Sequence, residues 1–579
     1  MTEQSWLANY PAHVNWNAEI PVKPLYSIMD ESVKRFPDKV ATDFLGTKMT
    51  YRQLGEAVDK AAEGFRQNGI KKGDTVGILL PNSPQFIASY FGALKAGAKV
   101  VALSPLDSAA DVAGKVADSE AKIIVTLDNP KLYPLVEPLV GTGKLEKLAV
   151  ATLNDAMGID ADPAPQTVGN GNILSWKELL DNKGIAPENI PAVNPDKDVA
   201  VLQYTGGTTG KSKGAELTHQ NLHANVVQSS HWFSDQIQPG QDKMMGILPF
   251  FHIFAMTTVM NFGIQNGLEL IVHPIFHAES VLKDIQEKKP TLMPAVPTML
   301  DQLMNHPDVG NYDLSSLKSS ISGGMPLTDD TRDAFQKLTG GNVLEGYGLT
   351  ESSPIAAANP TGGKDNKGVG LPYPGTTIEI RNLNNPEEAL ASGESGEIVI
   401  KGPQVMKGYW KNPEATKNSF TADGFLRTGD IGIMDERGYV VISGRLKEMI
   451  ITGGFNIYPS RLENALRDHE AVKDVAVIGI PHPEKGQVPK AFVVLHEDAD
   501  ITVKELANYM NKKRGDTLNA YEKIGEFEVM DELPKTPIGK IDKKALEKRE
   551  AERAAVKEPS AGWRSKVSSG EGKTRSASR

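Results

Sequence analysis

Not one of the 579 residues is cysteine. Disulfides, thiolate metal sites and a cysteine nucleophile are therefore excluded, so any thiol chemistry must bring its thiol in with a substrate. Excess positive charge is lacking as well. The formal net charge is −10, whereas a general nucleic-acid binder shows a basic face, so small-molecule work is expected and nucleic acid is not. No long hydrophobic run occurs. The most apolar window, around 85–105, is broken by Lys95 and Lys99, and its Val100 to Leu103 stretch reads as a strand. The start, Met-Thr-Glu-Gln-Ser-Trp-Leu, has neither the basic start nor the apolar core of a secretory signal. The expectation is a cytoplasmic protein with at most peripheral contact at the inner face of the membrane.

What is present is ordinary globular material, 40% hydrophobic and 23% charged. The length exceeds what one core sustains and predicts two or more domains. Short aliphatic runs recur at Val76 to Leu80, Val100 to Leu103, Ile123 to Thr126, Val199 to Tyr204, Leu268 to Val272 and Ile398 to Lys401. Segments of helical period, such as Thr50 to Asn68 and Ser83 to Ala96, lie between several of them, which predicts α/β with buried strands. Ser83 is placed to cap a helix whose first residue is Pro84. Residues 156–172 are rich in Gly, Pro, Asp and Asn and read as a surface insertion. After Gly444-Arg445-Leu446-Lys447 the character changes, and a compact α+β domain is expected over 448–549, its first helix opened by a Ser460/Glu463 capping box. From Glu550 the chain turns charged and then Ser-, Gly- and base-rich, which reads as a disordered basic tail over 550–579.

Four segments carry chemistry. Tyr204-Thr-Gly-Gly-Thr-Thr-Gly-Lys-Ser-Lys-Gly214 collects hydroxyls, glycines and lysines between an apolar run and a polar segment that reads as helical. Glycines turn backbone N–H groups toward an anion, and lysine adds a mobile cation. A Walker A loop needs glycine at position 205, where this chain has Thr205. In Glu345-Gly-Tyr-Gly-Leu-Thr-Glu351, Tyr347 can stack on a purine, Thr350 can donate to a phosphate, and Glu351 offers hard oxygens to Mg²⁺. Upstream, Ser322-Gly-Gly-Met-Pro326 lets a flat ring approach the backbone. Leu426-Arg-Thr-Gly-Asp430 places a carboxylate where it can take two ribose hydroxyls, with Arg445 fifteen residues on. Leu533-Pro-Lys-Thr-Pro-Ile-Gly-Lys-Ile-Asp542 presents a lysine in a Pro- and Gly-punctuated loop.

In this order the segments resemble the AMP-forming adenylate synthetases, a superfamily of acyl-CoA synthetases, luciferases and peptide-synthetase adenylation domains, over nearly the whole chain to about residue 549. The resemblance implies a large multi-subdomain α/β domain over 1–444, a hinge at 445–447 with Lys447 as pivot, and a small mobile α+β domain. It implies that Thr205, Gly206, Gly207, Thr208, Thr209 and Lys213 hold the ATP phosphates. Gly323, Gly324 and Tyr347 would frame adenine, with Glu345, Gly346 and Gly348 beside them. Thr350 and Glu351 would serve the α-phosphate and Mg²⁺, Asp430 and Arg445 the ribose. Lys540 would be the adenylation lysine, and Gly453 and Gly454 would face CoA. His252, in Leu248-Pro-Phe-Phe-His-Ile-Phe-Ala255, precedes a Met-, Phe- and Val-rich segment that borders the acyl pocket in the family; a hydrogen-bonded histidine beside a core helix has the same composition.

Within the superfamily, Leu344 to Ser352, Lys401 to Trp410 and Gly453-Gly-Phe-Asn-Ile-Tyr-Pro459 look most like bacterial long-chain fatty-acyl-CoA ligases, Phe455 being a position where many short-chain and aryl relatives differ. Substrates implied are a fatty acid, ATP and CoA; a homodimer stays open. Departures are Lys447-Glu448 where Lys-Asp is common, Ser460 to Glu463 in place of Asn-Glu-Ile-Glu, and a poor match over Lys512 to Glu522. Rival readings are an aryl or short-chain CoA ligase, a fatty acyl-AMP ligase, and a nucleotide-binding protein without catalysis.

Overall fold

A strand covered on both faces can carry apolar side chains without alternation, and Thr75–Leu79 does so with all five residues buried. In the computed structural model, which describes residues 5–157, 171–205, 212–362, 368–453, 455–499, 501–514, 518–519, 521–536 and 540–557, this strand pairs in parallel with Lys99–Ala102 and Ala121–Leu127. The chain divides into two units, residues 1–446 and 447–579.

The larger unit holds sheets of eight, nine and four strands. Helix Pro84–Lys95 is buried at every position and starts as expected, with Ser83 Oγ accepting from Phe86 N at 3.2 Å. It packs so closely on helix Tyr51–Gln67 that a Cβ on Gly92 would sit 2.8 Å from that of Ala61. Lys95, the residue that interrupts the apolar window, ends buried between Asp30 (2.7 Å) and Asp59 (2.6 Å). A buried ammonium needs such partners.

In the nine-stranded sheet, Ser319–Ser322 and Asn342–Gly348 are parallel neighbours with Ser322 opposite Glu345. Their carboxyl ends therefore bring together two motifs that lie far apart in sequence, at the edge where open α/β sheets take ligands. The four-stranded sheet is antiparallel and sets Asp430 opposite Arg445. One expectation fails in the eight-stranded sheet. The polar segment after the glycine-rich loop is a strand, Lys213–Thr218, antiparallel to Val199–Thr205. Ala215, Leu217 and Thr218 are buried, and helix His219–Trp232 begins only after Thr218 caps it. The loop thus closes a hairpin; Gly206, Gly207, Thr208 and Thr209 lie outside the described residues.

In the smaller unit, strands Val472–His482 and Gly486–Leu495 pair antiparallel, with Glu526–Val529 parallel to the second. Period-two alternation serves two cores. Val475, Val477, Ala491 and Val493 pack with Leu462, Leu466 and Leu506, while Ala476, Ile478, Phe492 and Val494 pack with Leu533 and Leu546. Two corrections arise here. Helix Pro459–Arg467 follows Tyr458 without a side-chain cap and already contains Ser460, so the Ser460/Glu463 box does not open it; Glu463 instead accepts from Val477 N at 2.7 Å. The charged segment from Glu550 is not all tail: helix Lys543–Lys557 runs through it. Ion pairs hold this helix, Lys490 to Glu550 at 2.8 Å and Arg553 to Glu528 at 2.6 Å, with Arg549 also on Glu528. Residues 558–579 and most of the expected insertion, 158–170, lie outside the described residues.

Candidate active site

The antiparallel register of Leu426–Met434 and Val440–Arg445 delivers Asp430 to Arg445, whose Nε donates to Oδ1 at 3.0 Å. The other oxygen accepts from the Tyr347 hydroxyl at 2.8 Å. Asp430 is buried, and the Arg445 side chain is 64% exposed. Burial and the neighbouring Asp430 carboxylate hold the Tyr347 phenol far above its ordinary range, so it stays a donor. A residue expected against a purine and one expected against a ribose are thus hydrogen-bonded to each other.

Glycines on this edge answer to backbone contacts. A Cβ at Gly348 would lie 1.7 Å from the Pro354 carbonyl oxygen, so no other residue fits. One at Gly323 would meet the Phe254 ring at 3.1 Å, Gly324 has φ +79°, and Gly346 is not crowded. Glu345 is pushed up to about 7 by desolvation, offset in part by the Leu327 N–H at 3.3 Å. Its backbone is pinned by Asn359, whose Oδ1 accepts from Glu345 N at 3.1 Å.

Thr350 and Glu351 stand in the turn Thr350–Ser352. Glu351 Oε1 accepts from the Tyr409 hydroxyl at 2.6 Å, and the Lys213 ammonium lies over the Tyr409 ring, 5.0 Å from its centre. Tyr409 therefore joins the glycine-rich hairpin to the Glu351 turn. It gets there because Gly408–Tyr409 forms an edge strand on Lys213–Thr218. Sequence reasoning had the Lys401 to Trp410 stretch but gave Tyr409 no role.

His252 is half-buried, and its Nδ1 accepts from Phe254 N at 3.2 Å, capping the short helix Ile253–Ala255. The helix continues as a π-helix over Met256–Asn261, a wide turn often found at functional sites. Two buried amides that sequence reasoning missed hold this stretch. Asn82 Oδ1 accepts from Phe250 N at 2.6 Å, and Gln203 Nε2 donates to the Phe251 carbonyl at 3.1 Å. Gln203 sits on the strand entering the glycine-rich loop, so the loop and the His252 segment share a support.

In the smaller unit, Lys540 N donates to Thr536 Oγ1 at 3.2 Å and its carbonyl accepts from Thr536 N at 2.6 Å. Gly453 has φ +56° and donates to the Lys485 carbonyl at 2.9 Å. Lys447 lies in the turn Leu446–Glu448; Gly454 lies outside the described residues.

Carboxylate, hydroxyl and glycine gathered at the ends of parallel strands define the nucleotide-handling class of α/β enzymes. The AMP-binding enzyme family model matches residues 29–410, and that of the AMP-binding enzyme C-terminal domain matches 461–540. A long-chain-fatty-acid–CoA ligase of Bacillus subtilis (strain 168) is 39% identical over 572 residues, 96% of this chain and 100% of that protein. One from Yersinia pestis is 35% identical, over 95% and 98% of the two chains. Among solved structures, ATP-bound MatB from Rhodopseudomonas palustris is similar with TM-score 0.80 and 28% identity, over 91% of this chain and 98% of that one. The chain belongs to the AMP-binding enzyme family.

Proposed function

We propose that this enzyme joins a medium- or long-chain fatty acid to coenzyme A through an acyl-adenylate, releasing pyrophosphate and then AMP. The observation that carries the reading is the presence, within one unit, of two connected groups, Tyr347–Asp430–Arg445 and Glu351–Tyr409–Lys213. Two relatives bearing the fatty-acid ligase name along nearly their full length support the substrate class.

A carboxylate is a poor electrophile. Its oxygen attacks the α-phosphorus of ATP, the bond to the bridging oxygen breaks, and pyrophosphate leaves with the electron pair. Lys213, Thr205 and the residues of the glycine-rich loop hold the departing phosphates, and Thr350 donates to an α-phosphoryl oxygen. Asp430 and Arg445 orient the ribose, and Tyr347 lies against adenine. Lys540 stabilises charge on the α-phosphoryl group. Glu351 fits Mg²⁺, a cation that takes one or two carboxylates and fills its shell with water and phosphate; bound there, Mg²⁺ neutralises phosphate charge. In the second half-reaction the CoA thiol attacks the acyl carbon and AMP leaves. With no cysteine in the chain, the thioester forms only on an external thiol. Lys447 is the pivot that brings Lys540 in for the first step and Gly453 and Gly454 for the second. The His252 segment borders the acyl chain. No described helix is long and apolar enough to cross a membrane, and at most peripheral contact with the inner face is proposed.

A screen of carboxylic acids by ATP-dependent thioester formation tests this. Each buried methylene contributes up to ~0.8 kcal/mol, so kcat/KM should climb as much as roughly fourfold per carbon until the pocket is filled. Acetate or benzoate turned over more efficiently than hexadecanoate would overturn the substrate class. Adenylate formation without transfer to free CoA would overturn the acceptor.

A further inference from the structure

Lys543 lies three residues beyond Lys540 and begins the helix Lys543–Lys557. Its side chain is 21% exposed and meets two carboxylates, Glu448 Oε2 at 2.7 Å and Glu463 Oε1 at 2.9 Å. Burial alone would depress this ammonium, but the two carboxylates more than reverse the effect, so it stays charged. Glu463 is itself fixed by the Val477 N–H on the long hairpin of the unit. Glu448 follows Lys447 directly in the turn Leu446–Glu448.

One ammonium therefore joins the first turn of the unit, its first helix and the segment that carries Lys540. The chain between is tightly folded. Asp542 N donates to the Pro534 carbonyl at 2.7 Å, and Lys540 is bonded through both backbone groups to Thr536. Displacing Lys543 would thus shift Lys540 rather than be absorbed by slack.

We infer that Lys543 is a positioning residue: by bridging Glu448 and Glu463 it makes the pivot turn and the Lys540 segment move as one body. Glu448 reaches the ammonium at 2.7 Å, a reach that a side chain one methylene shorter would lack. The inference rests on the adenylation role proposed for Lys540.

Deleting Lys543 would leave the buried Glu463 and the part-exposed Glu448 without their shared cation and would put the fold of the unit at risk. Glu448→Asp is the cleaner variant. It keeps the charge, withdraws the carboxylate by one bond, about 1.5 Å, and leaves Glu463 to neutralise Lys543. In a protein with an unchanged melting curve, kcat for ATP–pyrophosphate exchange should fall about tenfold with KM for ATP held within about twofold. Thioester formation from supplied acyl-adenylate and CoA should stay within about twofold of wild type. Lys543→Arg placed in the Glu448→Asp background, with its longer reach, should recover most of the exchange. Wild type and Lys540→Ala run alongside. If wild type exchanges and Lys540→Ala does not, the underlying reading holds, and undiminished exchange in Glu448→Asp then overturns the positioning role alone. Equal loss in both half-reactions overturns it too. Absence of exchange in wild type with every fatty acid overturns both.

Discussion

The site carboxylates of the larger unit and the carboxylates packed around Lys543 and Lys490 in the smaller one are satisfied in different ways. In the larger unit Glu351 accepts from the phenol of Tyr409, and Asp430 from the phenol of Tyr347 as well as from a mostly exposed arginine. In the smaller unit Glu448 and Glu463 meet the Lys543 ammonium, while Glu528 and Glu550 meet Lys490 and Arg553. A neutral phenol orients a carboxylate without cancelling its charge, so the charge remains for a cation or for ligand hydroxyls. A matching ammonium cancels it and leaves a strut. At its site the larger unit thus keeps Glu351 and Asp430 in reserve for chemistry, although elsewhere it too uses struts such as Lys95 between Asp30 and Asp59. Around Lys543 and Lys490 the smaller unit spends its carboxylates on cohesion, and Lys540 is the exception, the cation it holds for chemistry.

That exception gives the largest expected effect. Lys540→Ala should reduce adenylate formation by about 10²–10³ or more, the cost of removing one preorganised charge-stabilising donor. Thioester formation from supplied acyl-adenylate should survive nearly intact. Pyrophosphate exchange and the second half-reaction, run on one purified variant, decide the matter. Comparable loss of both in a folded protein would place Lys540 among the struts instead.

Paired variants test the contrast more finely. Tyr409→Phe keeps the ring beneath Lys213 and removes only the donor to Glu351. A hydrogen bond to a charged group is worth about 1.5–3 kcal/mol, so kcat/KM for ATP should drop about tenfold or more, with little change in melting temperature. Lys490→Met should do the reverse. It strips the ammonium from Glu528 and Glu550, costs about 1–3 kcal/mol of stability, and leaves kcat/KM within about twofold. If both variants chiefly lost stability, the division between reserved and spent charge would fail.

Much of the scaffold was legible because local physics settles it. Val76 to Leu80 is apolar at nearly every position, as a strand covered on both faces must be, and Ser83-Pro84 starts a helix wherever a helix follows. The segment after the glycine-rich loop misled because its strand is short and polar-flanked; only pairing with Val199–Thr205 makes it a strand. Glu463 fits a capping box by spacing, yet a buried backbone N–H on another strand claimed it. The helix past Glu550 has no apolar face to announce it there, its anchors being ions from strands 21 to 60 residues upstream, Glu528 for Arg549 and Lys490 for Glu550. In the site, motif order singled out Tyr347, Glu351 and Asp430, and the structure hydrogen-bonds the first to the last. Tyr409 escaped because its partner Glu351 lies 58 residues away and no periodicity records such a contact.

The smallest effect concerns acid. His219 and His223 are buried in the larger unit, and burial lowers both imidazoles to about 4. An unfolded histidine titrates near 6.5. The unfolded chain therefore takes up protons first, so the stability from neutral rings is present above about 6.5 and is lost as pH falls toward 4. Glu345 works the other way. Raised to about 7, its neutral acid contributes stability that is present below the unfolded carboxyl value and is lost as pH rises through 7. Between pH 7 and 5 two histidines oppose one glutamic acid, and the net is a loss of about 1–2 kcal/mol, a few degrees in melting temperature. In the smaller unit the Lys543 ammonium is raised and the Glu528 carboxylate lowered, so both titrate outside this window. Relative to the intrinsic exchange rate at each pH, amide protection should accordingly fall in helix His219–Trp232 and stay level in strand Val472–His482. Glu345→Gln removes the opposing contribution, so that variant should lose about twice as much stability over the same interval. An equal or shallower fall in Glu345→Gln, or a loss of amide protection confined to Val472–His482, would show that buried neutral groups of the larger unit do not set its acid response.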